Sequence, residues 1–344
     1  MADGSQPRRY WAGISAYHGT RLAAAARAFE SEGRHGLFAG QGSGPAWVPL
    51  AAAAAATERV QLGCGVAIAG ARSPAETAFA ALDLDRISGG RLVLGLGSST
   101  RWMLRTNFGV ELARPLAQLR DTVAVVRHVA AGAHRGLAPF EGETFRAEFS
   151  GLVPQPPPLR EAIPIWLGAL RSPMTRLAGE IADGLLGHPL WNAEWWRTRV
   201  VPDLRAGARA VGRDAEGIHR CAYVAAAPDP DEGAALADAR RFTAAYAAIA
   251  EYAEFFEERG FGAQAAAVRE RWAGDPEAAA ARVGEEMASA FVAWGTPDRV
   301  RAELDGAWEI ADSMLVSAPF WGLPPERMAH WSQALRRYAL DGSG

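Results

Sequence analysis

The segment from Arg86 to Thr100 constrains the fold more than any other stretch of the chain, and it reads RISGGRLVLGLGSST. The residues before it repeat their apolar positions at helical spacing, and Gly89-Gly90 supplies the positive φ that ends a helix. The strand 92–96 that follows is apolar on both faces, as strands of a covered parallel sheet are. The segment therefore predicts one βα unit of a parallel α/β barrel.

Two glycines mark the end of this strand. Gly95 and Gly97 leave the backbone without side chains, so a flat ring or a phosphate could approach it closely. The dinucleotide fingerprint G-x-G-x-x-G is incomplete, because Thr100 takes its sixth position. Simple strand-to-loop geometry explains the glycines as well, and the pattern alone identifies no ligand.

The composition excludes several classes of protein. With 36 basic and 39 acidic residues the net charge is -3, which argues against binding to nucleic acid and against binding to an anionic membrane surface. Cys64 and Cys221 lie far apart in apolar runs, so we expect inert core thiols rather than a disulfide or a C-x-x-C metal site. The first residues lack an apolar signal core, and the expected location is the cytoplasm.

Predicted strands and helices alternate along the chain, which indicates a parallel sheet. The strands are expected near 11–16, 36–39, 60–68, 91–96, 164–168, 184–186, 219–226 and 312–316. The helices are expected near 21–31, 48–57, 74–87, 115–131, 173–182 and 194–211. Two insertions are expected, an irregular proline-rich arm near 132–162 and an alanine-rich helical segment near 231–290. The pattern predicts an α/β fold, a (β/α)8 TIM barrel, as a single domain over 1–344 with the helical insertion in its seventh βα unit.

Four blocks of sequence resemble one family. They are LGCGVAIAGARSPAETA (62–78), LDRISGGRLVLGLGSS (84–99), NFGVELARPLAQLRD (107–121) and IPIWLGALRSPMTRLAGEIADGLLGHP (163–189), with a weaker fifth block at 290–304. Together they resemble the bacterial luciferase-like (β/α)8 enzymes that use flavin or deazaflavin coenzymes. Within that family the chain is most similar to the branch that uses the 8-hydroxy-5-deazaflavin coenzyme, F420, rather than FMN.

The resemblance implies where a coenzyme would bind. In deazaflavin-using relatives a non-prolyl cis peptide forms a bulge behind the ring, and here it falls at Gly65-Val66, although a plain glycine bulge would also fit. The loop after the next strand adds Gly97, Ser98 and Ser99.

A second part of the coenzyme site is expected at the helix that begins near Arg171. Ser172 is interpreted as its N-cap, and Met174 lies in its first turn. Helix N-termini suit phosphate, and the resemblance places the coenzyme phosphate here. Relatives usually have glycine in place of Arg171, which could either bind the phosphate or obstruct it. Arg101 and Arg105 are second candidates for the phosphate or an anionic tail.

Tryptophans follow the expected strand ends, where the active sites of such barrels lie. They suggest an apolar pocket for a planar coenzyme and a hydrophobic substrate. The pocket is assigned to Trp47, Trp102, Trp191 and Trp321, and Trp195 and Trp196 fall in the same group. Any one of them could instead only pack beneath the loops.

The acid-base residues of the family are missing. Relatives commonly carry a histidine and an acidic residue where this chain has Gln41 to Pro45, and a glutamate of some sugar-phosphate dehydrogenases is replaced within 98–100. The remaining proton-transfer candidates are His18, assisted by Tyr17, and His188, since histidine can exchange a proton near neutral pH. No histidine spacing matches a metal site, and no metal is expected.

The leading hypothesis is an oxidoreductase that moves a hydride between F420 and a small, hydrophobic organic substrate. One alternative is an FMN-dependent monooxygenase on the same scaffold, which would react with oxygen; deazaflavin does so poorly. Another alternative is a coenzyme-binding homologue without catalytic activity, because the chain lacks the histidine and the acidic residue that relatives carry. The expected partners are a small-molecule substrate and a second copy of the chain, as a homodimer, with no nucleic acid and no membrane.

Overall fold

The computed structural model describes residues 8–42, 44–111, 113–160, 162–319, 322–323 and 325–335. The chain divides into two compact units. The first contains residues up to 186 together with 202–219, and the second contains 187–201 and the residues from 220 onward. The expectation of a single domain stays a prediction.

The first unit has a sheet of short parallel strands that follow one another in chain order. Its strands are β1 (Tyr10–Gly13), β2 (Gly36–Ala39), β3 (Gln61–Cys64), β4 (Ala67–Ile68), β5 (Leu92–Gly97), β8 (Ile165–Gly168) and β9 (Gly184–Leu186), and β6 (Phe140–Glu141) and β7 (Arg146–Ala147) form a separate hairpin. Each main strand pairs in parallel with the next, and β3 and β4 both pair with β5. The predicted parallel alternation is thereby confirmed for this unit.

Helices connect these strands. They are α1 (Thr20–Ser31), α2 (Trp47–Ala56), α3 (Pro74–Ser88), α4 (Arg101–Phe108), α5 (Pro115–Gly132) and α6 (Ser172–Ile181). A later helix (Val201–Ala210) follows the last of these strands and is named α8, in chain order. Helix α3 shows why the sequence predicts them well. Ser73 caps its start by accepting a hydrogen bond from Ala75 N–H, and Gly89 ends it at φ 68°.

Two details of the first unit differ from prediction. The strand expected over 60–68 is broken, because a bulge at residues 65–66 separates β3 from β4. Helix α4 was not predicted; the Thr100 hydroxyl caps it by accepting from Met103 N–H at 3.1 Å, and Gly109 ends it at φ 64°.

The proline-rich arm near 132–162 forms neither a long helix nor a long strand, as expected. Its two-residue strands β6 and β7 pair in antiparallel fashion. The Asp121 carboxylate holds the hairpin turn by accepting from the Thr144 hydroxyl at 2.7 Å and from Phe145 N–H at 3.0 Å. Arg160, at the end of the arm, donates at 3.1 Å to the buried carboxylate of Asp85 on α3. These carboxylates explain how an arm with little secondary structure is fixed to helices α5 and α3.

Large aromatic rings fill the interior of this sheet opposite glycines. Trp11 on β1 pairs in register with Gly36 on β2, Phe38 on β2 with Gly63 on β3, and Trp166 on β8 with Gly184 on β9, and these six residues are called the aromatic layer below. A Cβ atom at any of the three glycines would overlap the ring beside it. The rings stack, with centroids 4.1 Å apart for Trp11 and Phe38, and 4.5 Å apart for Trp166 and His219. In each strand pair the ring therefore fills the space that a side chain at the paired glycine would need.

Within the described residues, the second unit has three parallel strands and most of the remaining helices. The strands are β10 (His219–Pro228), β11 (Ala293–Gly295) and β12 (Ser313–Ser317), with β10 paired to both others. The helices are α7 (Ala193–Trp195), α9 (Glu232–Ala247), α10 (Ala253–Glu258), α11 (Gly262–Trp272), α12 (Pro276–Ala280), α13 (Glu285–Ser289), α14 (Pro297–Trp308) and α15 (Pro325–Leu335). The predicted helical segment over 231–290 is confirmed, whereas β11 was not predicted, because its three residues follow that segment without a clear boundary.

The helix expected over 194–211 is not continuous. After α7 the backbone forms a π-helical turn (Trp196–Val200) and only then α8 (Val201–Ala210). The sequence does not announce such a turn, because it differs from an α-helix in its i→i+5 backbone hydrogen bonds and not in residue type. Among the residues described, no helix is both long and apolar enough to span a membrane.

Candidate active site

The backbone between β3 and β4 contains a cis peptide bond at Gly65-Val66. The family resemblance expected it at this bond, so that expectation is confirmed. The bulge is followed directly by Ala67 on β4, which pairs with Leu96 on β5. The short strand β4 after the bulge is thus paired with the carboxyl end of β5.

Glycines on the neighbouring strands make room for this bulge. A Cβ atom at Gly97 would lie 2.6 Å from Val66 Cγ2, and one at Gly168 would lie 2.9 Å from Val66 Cγ1. A Cβ atom at Gly95 would overlap the carbonyl oxygen of Cys64. Val66 therefore sits where the carboxyl ends of β3, β5 and β8 meet.

This packing corrects the interpretation of the G-x-G pattern. The sequence suggested that Gly95 and Gly97 leave open space for a ring or a phosphate, but the chain's own Cys64 carbonyl and Val66 side chain take that space. The physical reason is that β3 and β5 are paired neighbours and the residues on either side of the bulge lie against these glycines. The glycines shape the site by admitting the bulge rather than by exposing their own backbone.

Gln41 fixes the bulge from the other side. Its backbone N–H donates to Val66 O at 3.1 Å, and its buried side-chain Oε1 accepts from Ile68 N–H at 2.9 Å. The preceding Gly40 N–H donates to the Ser15 hydroxyl at 2.9 Å. From the sequence, Gln41 marked only the absence of a histidine that relatives carry. In the structure, its hydrogen bonds hold the end of β2 to the bulge. Ser43 of the same loop lies outside the described residues.

The loop after β5 is compact. Ser99 has φ 61°, a left-handed conformation unusual for a residue other than glycine, and its hydroxyl lies 3.2 Å from Met103 Sδ. The Ser98 hydroxyl donates to Ser99 O at 3.2 Å. Arg101 and Arg105 both project from α4 into solvent. Gly97, Ser98 and Ser99 are thus beside the bulge, and the two arginines lie on the exposed face of the helix that follows.

The start of α6 differs from its predicted cap. Arg171, and not Ser172, is the N-cap residue, and Ser172 is the first residue of the helix. The Ser172 hydroxyl is buried and has no hydrogen-bond partner within the described part of the chain. Met174 N–H donates to Arg171 O at 3.0 Å. An unused buried hydroxyl beside an arginine at a helix N-terminus, three residues beyond Gly168, fits an anionic group such as the coenzyme phosphate.

Tyr17 and His18 follow β1 in a turn closed by Tyr17 N–H to Ile14 O at 3.1 Å. Tyr17 packs edge-on against Phe29 of α1, with centroids 6.0 Å apart. His18 is exposed. Both belong to the first unit, at the carboxyl end of its first strand.

The tryptophans predicted to line one pocket lie in different surroundings. Trp47 begins α2, where the Arg72 guanidinium lies 5.6 Å from its ring centre. Trp102 is half exposed on α4, whereas Trp191 is buried in the second unit. Trp321 lies outside the described residues. Their common role as a substrate pocket stays a prediction.

His188 in the second unit belongs to a buried cluster that the sequence did not reveal. Its Nδ1 accepts from Leu190 N–H at 3.3 Å, and its Nε2 lies 3.3 Å from the Tyr252 hydroxyl. Tyr246 packs edge-on against it at 5.5 Å. Burial lowers the pKa of His188 to about 3 and raises the pKa values of Tyr246 and Tyr252. His188 is therefore neutral at pH 7, with its single proton on Nε2, since Nδ1 is the acceptor.

Cys64 and Cys221 are buried and free, as expected. Burial raises the pKa of both thiols, to about 12 for Cys221, so neither ionises near neutral pH. Within the described residues no three His, Cys, Asp or Glu side chains come close enough together to hold a metal ion.

Comparison with known proteins identifies the family. A sequence model described as luciferase-like monooxygenase matches residues 7–314. A Mycobacterium tuberculosis protein provisionally named a coenzyme F420-dependent oxidoreductase is 32% identical over 326 residues, which cover 88% of this chain and 90% of that protein. A 5,10-methylenetetrahydromethanopterin reductase of Archaeoglobus fulgidus is 30% identical over 250 residues, covering 71% and 72% of the two chains.

A solved structure agrees with the fold. The coenzyme F420-dependent tetrahydromethanopterin reductase from Methanopyrus kandleri superimposes with a TM-score of 0.78 and 21% identity, over 98% of this chain and 99% of that one. The chain therefore belongs to the luciferase-like monooxygenase family and has that family's (β/α)8 barrel fold.

Proposed function

We propose that the protein is an oxidoreductase that binds coenzyme F420 and transfers a hydride to or from a small, hydrophobic organic substrate. The observation that carries this proposal is the convergence at Val66. Its side chain is in contact range of Gly97 and Gly168, and α6 begins four residues after the end of β8, with the buried, unused Ser172 hydroxyl. A partly exposed apolar surface beside an anion-binding helix start suits a planar coenzyme that carries a phosphate.

The relatives favour F420 over FMN. Both relatives compared above are reductases or oxidoreductases by name, one of them named for F420, and each covers more than two thirds of this chain. When bound, the coenzyme supplies the carbon atom that gives or accepts the hydride. The protein's own part is to bind and orient it and to exclude water from one face.

Individual residues have separate tasks in this proposal. Ser172 donates its hydroxyl hydrogen to the phosphate, and the Arg171 guanidinium provides charge beside it. Val66 packs against the ring; the Gln41 N–H holds it by donating to Val66 O, and the Gln41 side chain supports the bulge by accepting from Ile68 N–H. The functional oligomer is proposed to be a homodimer, which light scattering on the purified protein would test.

The binding site is tested by titrating the purified protein with F420 and with FMN. We expect tighter binding of F420. Arg171→Ala and Ser172→Ala should each weaken it, the arginine by about 10- to 150-fold, because a charge-assisted contact contributes about 1.5 to 3 kcal/mol.

The chain offers matched controls for both changes. Arg114 is also an N-cap arginine, at α5, and Ser73 caps α3 with its hydroxyl. Arg114→Ala and Ser73→Ala should leave coenzyme affinity unchanged. Micromolar binding of FMN with no binding of F420 would favour the monooxygenase alternative, and tight F420 binding without turnover of any substrate would favour the non-catalytic one.

His18 is proposed as the proton donor or acceptor, with Tyr17 beside it. We expect His18→Ala to lower kcat by about 10²- to 10⁴-fold while coenzyme affinity stays nearly intact. His188 is less suited to this task, because a group with a pKa of about 3 is already deprotonated throughout the range from pH 5 to 8. Acidification protonates such a group only near pH 3, so His188→Ala should leave the pH profile of kcat unchanged above pH 5.

Turnover measured across pH for both variants separates the two histidines. An unchanged rate and pH profile in His18→Ala would remove His18 from the reaction and indicate solvent as the proton source.

A further inference from the structure

Two neighbouring strands of the second unit carry polar side chains that the proposed function does not use. β10 and β12 are paired in parallel, with Cys221 in register with Ser313 and Ala225 in register with Ser317. Side chains alternate between the two faces of a strand, so Cys221 and Tyr223 share one face of β10, and Ser313 and Ser317 share the same face of β12. A thiol and three hydroxyl groups therefore lie on one face of this strand pair.

The pair of side chains nearer the amino ends of the strands is sealed. Cys221 and Ser313 are both 0% exposed, and the Ser313 side chain is hydrogen-bonded to the Cys221 sulfur. Each group thus has its partner inside the chain, and neither offers a surface to a ligand.

The pair nearer the carboxyl ends is accessible. The hydroxyl oxygens of Tyr223 and Ser317 lie 3.3 Å apart, so both groups face the same space. Both residues are partly exposed, although burial raises the pKa of Tyr223 to about 12. A side chain that is closely surrounded and still accessible lies in a recess rather than on an open surface. The carboxyl ends of the strands are also where the active sites of α/β barrels lie.

The two hydroxyl groups are joined by one hydrogen bond, in which Ser317 donates to the Tyr223 oxygen. Within the described part of the chain, neither hydroxyl has another hydrogen-bond partner. Each hydroxyl has one hydrogen and two lone pairs, so the pair keeps the Tyr223 hydrogen and lone pairs on both oxygens. A third hydroxyl group can accept that hydrogen and donate its own to a lone pair.

The polar groups around Tyr223 are uncharged at neutral pH. Burial, and then the nearby Tyr252 and Tyr223 hydroxyls, raises the pKa of Tyr246. The Nε2 atom of His188 lies 3.3 Å from the Tyr252 hydroxyl, and burial lowers the pKa of His188 to about 3. Burial also raises the pKa of Tyr252. All four side chains are therefore neutral at pH 7, and none of them attracts an anion or a cation.

We propose that Tyr223 and Ser317 form a ligand site for the hydroxyl group of a small, uncharged alcohol. Tyr223 donates its hydroxyl hydrogen to the alcohol oxygen, and the alcohol donates its own hydrogen to the Ser317 oxygen. Both residues belong to the second unit, whereas the residues proposed to contact the coenzyme belong to the first. The site does not depend on which coenzyme the first unit binds.

The test follows tyrosine hydroxyl groups by NMR in the full-length protein labelled with [ζ-¹³C]tyrosine. The chain has six tyrosines, and Tyr223→Phe assigns the Tyr223 signal by its loss. The probes are cyclohexanol, cyclohexanone, which can only accept a hydrogen bond, and cyclohexylammonium, which is charged. We expect cyclohexanol to shift the Tyr223 signal and to bind more tightly than the other two probes. Tyr223→Phe and Ser317→Ala should each weaken cyclohexanol binding about 2- to 13-fold, the effect of one hydrogen bond, as measured by calorimetry.

The chain offers a matched control for each variant. Ser313→Ala makes the same change on the same face of β12, but in the sealed pair, and Tyr10→Phe removes a tyrosine hydroxyl from the first unit. Both should leave cyclohexanol affinity unchanged. An unmoved Tyr223 signal, unchanged affinity in Tyr223→Phe or in Ser317→Ala, or an equal loss in Ser313→Ala and Ser317→Ala would overturn the site. Cyclohexanone or cyclohexylammonium binding as tightly as cyclohexanol would overturn the ligand class.

Discussion

In two regions of the first unit, glycines lie against bulky groups, and the missing side chain has a different structural role in each region. In the aromatic layer, the partners of the glycines are rigid rings, and Trp11, Phe38 and Trp166 are each at most 5% exposed. At the bulge, the partners of Gly95, Gly97 and Gly168 are a carbonyl oxygen and a partly exposed valine. The first arrangement packs the interior, and the second shapes a surface.

The comparison teaches that glycine at a strand end does not by itself indicate ligand access. In both regions the missing side chain makes room for another part of the chain. The two regions should nevertheless respond differently to substitution, since a ring in the interior cannot retreat and a valine at the surface can. Stability should therefore depend mainly on the aromatic layer, and coenzyme affinity mainly on the bulge.

The largest expected effect is on stability, from Gly63→Ala in the aromatic layer. The added Cβ atom would overlap the Phe38 ring, and the Trp11 ring is only 3.1 Å away, so both rings would have to move. Overpacking of this kind costs about 1 to 3 kcal/mol, and here we expect the upper end of that range. Chemical denaturation measures the change in the free energy of unfolding.

Gly13→Ala on β1 is the matched control, because a Cβ atom there meets nothing within 4 Å. Its effect should stay within about 0.5 kcal/mol. An effect of Gly63→Ala as small as the about 0.5 kcal/mol expected for the control would show that the aromatic layer tolerates an added methyl group and would remove the contrast with the bulge.

An intermediate effect is expected from Gly97→Ala at the bulge. Its Cβ atom would press on Val66 Cγ2, while the other methyl group of Val66 already faces Gly168. We expect Val66 to shift and F420 affinity to fall by about 10-fold or more, roughly 1.4 kcal/mol. The free energy of unfolding should change less than in Gly63→Ala. Titration of the purified variant with F420 measures the affinity.

A compensating substitution sharpens this result. Val66→Ala removes the methyl groups that collide with the new Cβ atom, so the double variant should lose less F420 affinity than the sum of the two single losses. If the double variant shows the sum of the two single losses, Gly97 affects binding by some route other than contact with Val66.

Much of the fold followed from local sequence. The helix α3 was predicted from the spacing of its apolar residues and from Gly89-Gly90, because helix formation and helix ending depend on neighbouring residues. The position of the cis peptide bond at Gly65-Val66 came from family resemblance, since no local pattern specifies it.

The details of the site depended on contacts between distant residues. Nothing near Gly95 in the sequence indicates that the Cys64 carbonyl, 31 positions earlier, will take its space. The hydroxyl of Ser172 was expected in a cap, and only the backbone of α6 shows that Arg171 holds that position. Gln41 illustrates the same limit, because its partner Ile68 is 27 residues away.

The smallest expected effect comes from Gln41→Met, which probes the support of the bulge without touching its packing. Methionine has a similar length but cannot accept a hydrogen bond from Ile68 N–H, and Ile68 is 3% exposed. Loss of one such bond costs about 1 kcal/mol. Because the backbone bond from Gln41 N–H to Val66 O remains, F420 affinity should fall only a few-fold. Hydrogen exchange at the Ile68 amide should accelerate, and Gln155→Met in the proline-rich arm, whose side chain bonds only Val153 O among described residues, should leave that amide unchanged. Unchanged exchange at Ile68 in Gln41→Met would mean that the side-chain bond contributes nothing and that the bulge is held by its packing against Gly97 and Gly168 together with the backbone bond from Gln41, and the bulge would then resemble the aromatic layer more closely than proposed.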